Sequence, residues 1–191
     1  MIKFILGSSS KARLELLKKI NFNPDLIVSP NIDESPIKKE KPLDYVRRMA
    51  MVKCETLHKN YFGNNILSAD TIVTYQRKII QKANTIEEVE KLLKSYSNKS
   101  IKVVTSVYLI TSNNNRVTKT VETSIKFKSL NKIDIDEYIQ TGIGIGKAGG
   151  IAIESIMDSF IKKIIGSYSN IIGLPLYETR NILISSGVGI K

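Results

Sequence analysis

At 191 residues the chain is one ordinary domain or two small lobes, long enough to bury a real core. Its 42% hydrophobic and 25% charged content is that of a globular protein, and no apolar run nears the ~20 residues of a membrane-spanning helix, so disordered and membrane classes are excluded. The net charge of +11 raises nucleic acid as a partner; however, the excess lysine is scattered, no basic block of five forms and no aromatics interleave with it, so a polyanionic small substrate explains the charge equally well.

The apolar start of the chain, Lys3 to Leu6, is too short for a signal peptide and reads as a first strand. Gly7-Ser8-Ser9-Ser10 breaks it, and Leu14, Leu17 and Ile20 then fall at helical spacing behind a serine N-cap. A helix N-terminus flanked by Ser8, Ser9 and Ser10, with Arg13 in its first turn, suits a phosphate group, although serines in this place more often serve only as caps. Leu26-Ile27-Val28 is a second extended piece leading into an acidic loop. There Asp33 and Glu34 read either as a solvated pair or as part of a hard-cation site. Pro42 opens a helix that runs to about Leu57, with Leu43, Val46, Ala50, Cys54 and Leu57 as its apolar stripe. Lys53 falls on that stripe, either snorkelling from its edge or pointing into a site.

The run Ile66 to Val73 is strand-like and carries Asp70. An ionised carboxylate away from water needs a cation, a donor set or a proton, so Asp70 marks either the end of the strand or a working charge. A hairpin through Gln76-Arg77-Lys78 returns at Ile79-Ile80, and Lys82 beyond it looks like an ordinary surface lysine. Thr85 and Glu88 form a capping box for a helix with Ile86, Val89, Leu92, Leu93 and Tyr96 on one face. Ile101–Ile110 and Val117–Phe127 are strands about a turn at 112–115. Asp134 and Glu137 suggest a further capped helix, a strand follows near Phe160–Ile165, and a last helix covers Leu176 to Ile184. Strands and helices alternate with hairpins between them, which predicts a mixed sheet of the α/β class.

Gly144, Gly146 and Gly149 spell G-x-G-x-x-G, but the motif follows a helix instead of a strand, and Thr141 and Ala148 break a phosphate-loop pattern. What is left is a backbone-rich loop with one lysine, Lys147, suited to an anion or a flat base. One cysteine, Cys54, and one histidine, His58, exclude an internal disulfide and a Cys/His zinc site; they read as a core thiol and a surface histidine. Any metal must have oxygen ligands, and the cysteine usage suits a cytoplasmic setting.

These pieces, in this order, resemble the Maf family of nucleoside triphosphate pyrophosphatases, the septum-formation Maf-like proteins, over nearly the whole chain. Leu6-Gly7-Ser8-Ser9-Ser10-Lys11-Ala12-Arg13 is similar to the family's opening L-A-S-x-S-P-R-R, Ile32-Asp33-Glu34 to its acidic loop and Ala50-Met51-Val52-Lys53 to its A-x-x-K. Ser68-Ala69-Asp70-Thr71 resembles G-A-D-T, Gln81-Lys82-Ala83 resembles G-K-P, and Lys147 to Gly150 with Gly166 to Leu176 resemble the C-terminal signatures. The resemblance implies one Maf-like domain over residues 1–191, an elongated mixed α/β sheet with flanking helices and two lobes around a cleft, as in inosine triphosphate pyrophosphatases. It implies hydrolysis between the α- and β-phosphates of a nucleoside triphosphate, with removal of modified nucleotides as the service performed, and a divalent cation, Mg²⁺ or Mn²⁺, held by Asp70 and Glu34. Asp70, Glu34, Lys53 and Lys82 match its catalytic positions; Ser8, Ser10, Arg13, Thr71, Lys147 and Glu154 match its substrate-binding ones. No nucleic acid or membrane is implied, and the apolar hairpin edges suit pairing in a homodimer. Ala12, Ile151, Glu154 and Ser155 depart from the family pattern. Glu154 resembles the branch acting on methylated guanosine triphosphate, whereas Ala69-Asp70-Thr71 resembles the thymidine/uridine branch. The altered loop also leaves a rival expectation, a catalytically weak nucleotide-binding regulator of division.

Overall fold

Residues 1–189 are described by a computed structural model, in which strands and helices alternate as the patterning requires. The elements are β1 (Phe4–Gly7), α1 (Lys11–Lys19), β2 (Leu26–Ile27), α2 (Pro42–His58), β3 (Asn65–Tyr75), β4 (Lys78–Ile80), α3 (Ile86–Tyr96), β5 (Ser100–Ile110), β6 (Arg116–Phe127), α4 (Lys132–Gln140), a 3-10 turn (Ile156–Phe160), β7 (Ile161–Ile165), α5 (Tyr168–Ile172) and α6 (Leu176–Ser185). The strands form a mixed sheet in the order β2-β1-β3-β5-β6-β7, with β4 paired to β3. Two compact units make up the chain, each from non-contiguous segments. The first takes Met1–Thr71, Thr105–Val121 and the residues from Gly173 on; the second takes Ile72–Val104 and Glu122–Ile172.

In the first unit β1 runs parallel to both β2 and β3, with Leu6 opposite Ile27 and Leu67. Strands paired this way are covered on both faces, which explains why every residue of β1, and Ile66 to Asp70 without a break in β3, is buried. The cover over β1 includes α2, whose buried stripe comprises Tyr45, Val46, Met49, Ala50, Lys53, Cys54, Leu57 and His58. Ile5, Cys54, Leu57, Ile66 and Ile110 meet in its core. Gly7 permits the close approach, since a Cβ there would stand 2.8 Å from a methyl of Leu57. His58, expected at the surface, is instead buried and packs on Phe62 with ring centroids 5.2 Å apart. The reason is geometric: residue 58 lies four positions after Cys54 and shares its inward side of the helix.

The second unit has its own core, in which Tyr96 stacks on Phe127 at 5.5 Å and Tyr138 meets Phe160 edge-on at 6.4 Å. The β3–β4 hairpin pairs Val73 with Ile80. The α3 cap forms as expected at one end, Thr85 Oγ1 accepting from Glu88 N–H, while the Glu88 carboxylate takes the N–H of Asn84. The α4 cap differs: Asn131 and Asp134 form the reciprocal box, one turn earlier than Asp134 and Glu137 suggested. The glycine-rich loop is ordered by two buried phenols, Tyr96 donating to Gly149 O at 3.0 Å and Tyr138 to Gly150 O at 2.8 Å. Gly144 and Gly149 are the tightly packed glycines of this loop. Gly149 has φ +61, and a Cβ on it would lie 2.7 Å from the Cβ of Val73. Among the described residues no helix is long and apolar enough to cross a membrane.

A contrast within this loop is testable by urea unfolding. Gly149→Ala meets both the left-handed backbone penalty and the Val73 side chain, and is expected to cost roughly 3 kcal/mol. Gly146→Ala has φ +74 but open space around it, and is expected to cost only the backbone penalty, about 1 kcal/mol.

Candidate active site

Asp70 stands in the middle of β3, five residues before its end, so it is no strand terminator. Its side chain is 10% exposed, and Lys53, equally buried, donates from Nζ to Asp70 Oδ1 at 2.6 Å. The same ammonium lies 2.8 Å from Glu34 Oε1, whose side chain is 45% exposed. Lys53 thus does not snorkel. Its place on the inward stripe of α2 aims it at the sheet, where two carboxylates from distant segments converge on it.

Beside this triad the β1–α1 turn is built around Ser8, Ser10 and Arg13. Ser10 caps α1, its hydroxyl accepting the Arg13 N–H at 3.4 Å. Ser8 is buried, and its hydroxyl oxygen accepts from Ser10 N–H at 3.2 Å and from Arg13 Nη1 at 3.0 Å. With both lone pairs engaged, that hydroxyl has only its hydrogen to offer, which is what a phosphate oxygen accepts. Arg13 also donates from Nε to Gly173 O at 2.9 Å and from Nη2 to Thr71 Oγ1 at 3.0 Å. Thr71 in turn bonds Thr105 Oγ1 at 2.9 Å and Gly173 O at 3.3 Å. The Thr71 hydroxyl is therefore spent on structure, tying β3 to β5 and to the segment before α6.

The electrostatics connect these groups. Burial lowers the Arg13 pKa, and the Asp70 and Glu34 carboxylates push it back up through space. Tyr45, on the inward stripe of α2, donates its hydroxyl to the Glu34 carbonyl at 2.8 Å. Burial, then the charges of Asp70 and Glu34, push its phenol up to about 12, so it works as a neutral donor at physiological pH. Burial likewise pushes the Cys54 thiol up to about 12, and it donates to Ile66 O at 3.1 Å, so it is a core group with no nucleophilic character.

Asp33 is exposed in the first unit and accepts the Ser35 N–H at 2.9 Å, while Lys82, Lys147 and Glu154 lie in the second unit. Lys82 is exposed and forms an isolated bridge with Ala148, next to Lys147, while Gly146 N–H donates to Ala83 O at 2.7 Å. The structure thus brings Lys82 and Lys147 to neighbouring backbone positions. Glu154 is exposed, just before the 3-10 turn. Sequence reasoning assigned no role to Tyr45, Thr105 or Gly173. Tyr45 carried a usable signal, an aromatic hydroxyl two turns ahead of Lys53 on its helix; Thr105 carried none, and the Gly166 to Leu176 signature pointed to the segment of Gly173 but not to its carbonyl.

For a divalent cation, the donor set present is the pair Asp70 and Glu34, and among the described residues no group of three or more His, Cys, Asp or Glu converges. Two carboxylates already aimed at one positive charge fit Mg²⁺ or Mn²⁺, which fill their remaining positions with water and substrate phosphate oxygens.

A family model described as Maf-like protein matches residues 3–186. A dTTP/UTP pyrophosphatase of Rhodopseudomonas palustris (strain BisB18) is 38% identical over 195 residues, covering 99% of this chain and 94% of that protein. A nucleoside triphosphate pyrophosphatase of Neorickettsia sennetsu is 42% identical over 185 residues, covering 97% of this chain and 88% of that protein. Among solved structures, the Staphylococcus aureus Ham1 protein aligns with a TM-score of 0.46 at 14% identity, over 65% of this chain and 71% of that one.

The Lys53–Asp70 contact makes a stability prediction. Lys53→Met leaves the Asp70 carboxylate buried without its cation and is expected to cost about 3 kcal/mol in denaturant unfolding, most of it recovered in the Lys53→Met/Asp70→Asn double variant. A double variant no more stable than the single one would contradict a direct pairing.

Proposed function

Because the chain belongs to the Maf-like protein family, we infer that it is a nucleoside triphosphate pyrophosphatase, cleaving between the α- and β-phosphates to give the monophosphate and pyrophosphate. The observation that carries the mechanistic reading is the Lys53 ammonium held between Asp70 and Glu34 at 2.6 and 2.8 Å. Asp70 accepts the proton of the water that attacks the α-phosphorus. Lys53 orients that carboxylate and adds positive charge close to the reacting phosphate. The Ser8 hydroxyl donates to a phosphate oxygen, with Ser10 and Arg13 holding the turn that presents it, and Arg13 adds a second cation against the charge that builds on the leaving pyrophosphate. A divalent cation held by Asp70 and Glu34 would supply Lewis-acid charge to the triphosphate oxygens when bound. The reaction needs no nucleic acid or membrane, and we assign it to the cytoplasm, in keeping with a single unpaired cysteine.

The test is incubation with Mn²⁺ and a panel of triphosphates, including dTTP, UTP and methylated guanosine triphosphate, with pyrophosphate and orthophosphate separated afterwards. Pyrophosphate is the expected product. Asp70→Asn is expected to lower kcat about 10²- to 10⁴-fold, the usual worth of a positioned general base. Nucleotide binding without pyrophosphate release would overturn the enzymatic reading.

A further inference from the structure

Glu34 belongs to a long irregular segment between β2 and α2, and residues 33–39 are all exposed. Such a segment has no burial to fix it, yet it delivers a carboxylate to within 2.8 Å of Lys53. Something else must hold it. At its C-terminal end Arg48 of α2 grips Glu40 with a two-pronged ion pair, Nε to Oε1 and Nη2 to Oε2, both at 2.6 Å. Arg48 Nη2 also donates to Ser35 O at 3.1 Å, one residue after Glu34. Glu40 Oε2 accepts the Ile37 N–H at 3.0 Å, and Arg48 lies over the Tyr45 ring at 5.5 Å. The Glu40 side chain is only 8% exposed and that of Arg48 23%, unlike the solvated ion pairs that contribute little.

We propose that Arg48 and Glu40 are positioning residues, whose forked pair closes the 33–40 loop onto α2 and so sets where the Glu34 carboxylate stands. Neither need touch substrate. The geometry asks for arginine in particular: one planar group must meet both oxygens of Glu40 and a backbone carbonyl together, which a single ammonium cannot do. The device also has a clear economy of parts. Tyr45, Arg48 and Lys53 are all on α2, so the helix that supplies the ammonium also fixes the loop that brings Glu34 to it. This proposal rests on the assignment of Glu34 to the active site.

A double-mutant cycle in kcat tests it, using the triphosphate turned over fastest in the panel above. Arg48→Gln is expected to lower kcat about 10-fold, within what a small misplacement of a site group costs. In a Glu34→Ala background the same change is expected to have an effect below about 2-fold, because the group it positions is gone. Glu40→Gln, which keeps the side-chain shape, is the second variant should Arg48→Gln fail to fold, with the same pattern expected. Arg116→Gln removes a comparable fork, on Glu55 of the same helix, and is expected to leave kcat unchanged. Hydrogen exchange of the Ser35 and Ile37 amides is expected to accelerate in the Arg48 and Glu40 variants alone. An equal loss of kcat with and without Glu34, or unaltered exchange at these amides, would overturn the proposal. A wild-type protein that releases no pyrophosphate would instead overturn the enzymatic reading, and the exchange measurement would still decide whether the pair holds the loop.

Discussion

A carboxylate in the interior of a buried strand has to be matched by positive charge, and in this molecule the match is made by a single ammonium that reaches it from a neighbouring helix. Lys53 meets Asp70 only because α2 lies on the sheet in one rotational setting. Turning the helix by one residue, about 100°, would carry the ammonium off the inward stripe and leave Asp70 without a partner. The packing of Leu57 against Gly7 and of Cys54 against Ile66 fixes that setting. Core packing and site geometry are therefore one constraint in the first unit.

The charges around this point are balanced. Asp70 and Glu34 contribute two negative charges, Lys53 and Arg13 two positive ones, and Arg13 is held by neutral oxygens of Ser8, Thr71 and Gly173. A triphosphate entering such a neutral cluster brings more negative charge than the cluster itself can offset. That is the electrostatic case for a divalent cation in the proposed reaction, and for a site whose own acids can share it. The balance also means that the Asp70 carboxylate and the Lys53 ammonium, both buried, offset each other's charge.

Much of this was legible in the sequence, for definable reasons. Asp70 and Lys53 drew notice because each breaks a pattern: a charge inside a strand-like run, and a charge on an apolar helical stripe. Patterns of that kind are local, and local periodicity also located the central strands and the long helices. The reading failed where structure depends on contacts far along the chain. Tyr168–Ile172 is a five-residue helix too short to show a period, and Asn170 pins it by donating to Val103 O and Thr123 Oγ1. A snorkelling and an inward-pointing Lys53 have the same sequence pattern, and only the positions of Asp70 and Glu34 in space separate them. The roles of Arg48 and Glu40 were invisible because charged residues beside a loop look solvated, and only the fork between them shows otherwise.

The bonds from Arg13 to Gly173 O and from Thr71 to Gly173 O span 160 and 102 residues. Unit one is thus closed by a segment that is made only after the whole second unit. During synthesis Ser8, Arg13 and Asp70 are all present early, but the carbonyl that steadies the guanidinium is not. The β1–α1 turn is therefore completed only after the second unit has been synthesised, and until then the guanidinium lacks one of its three partners.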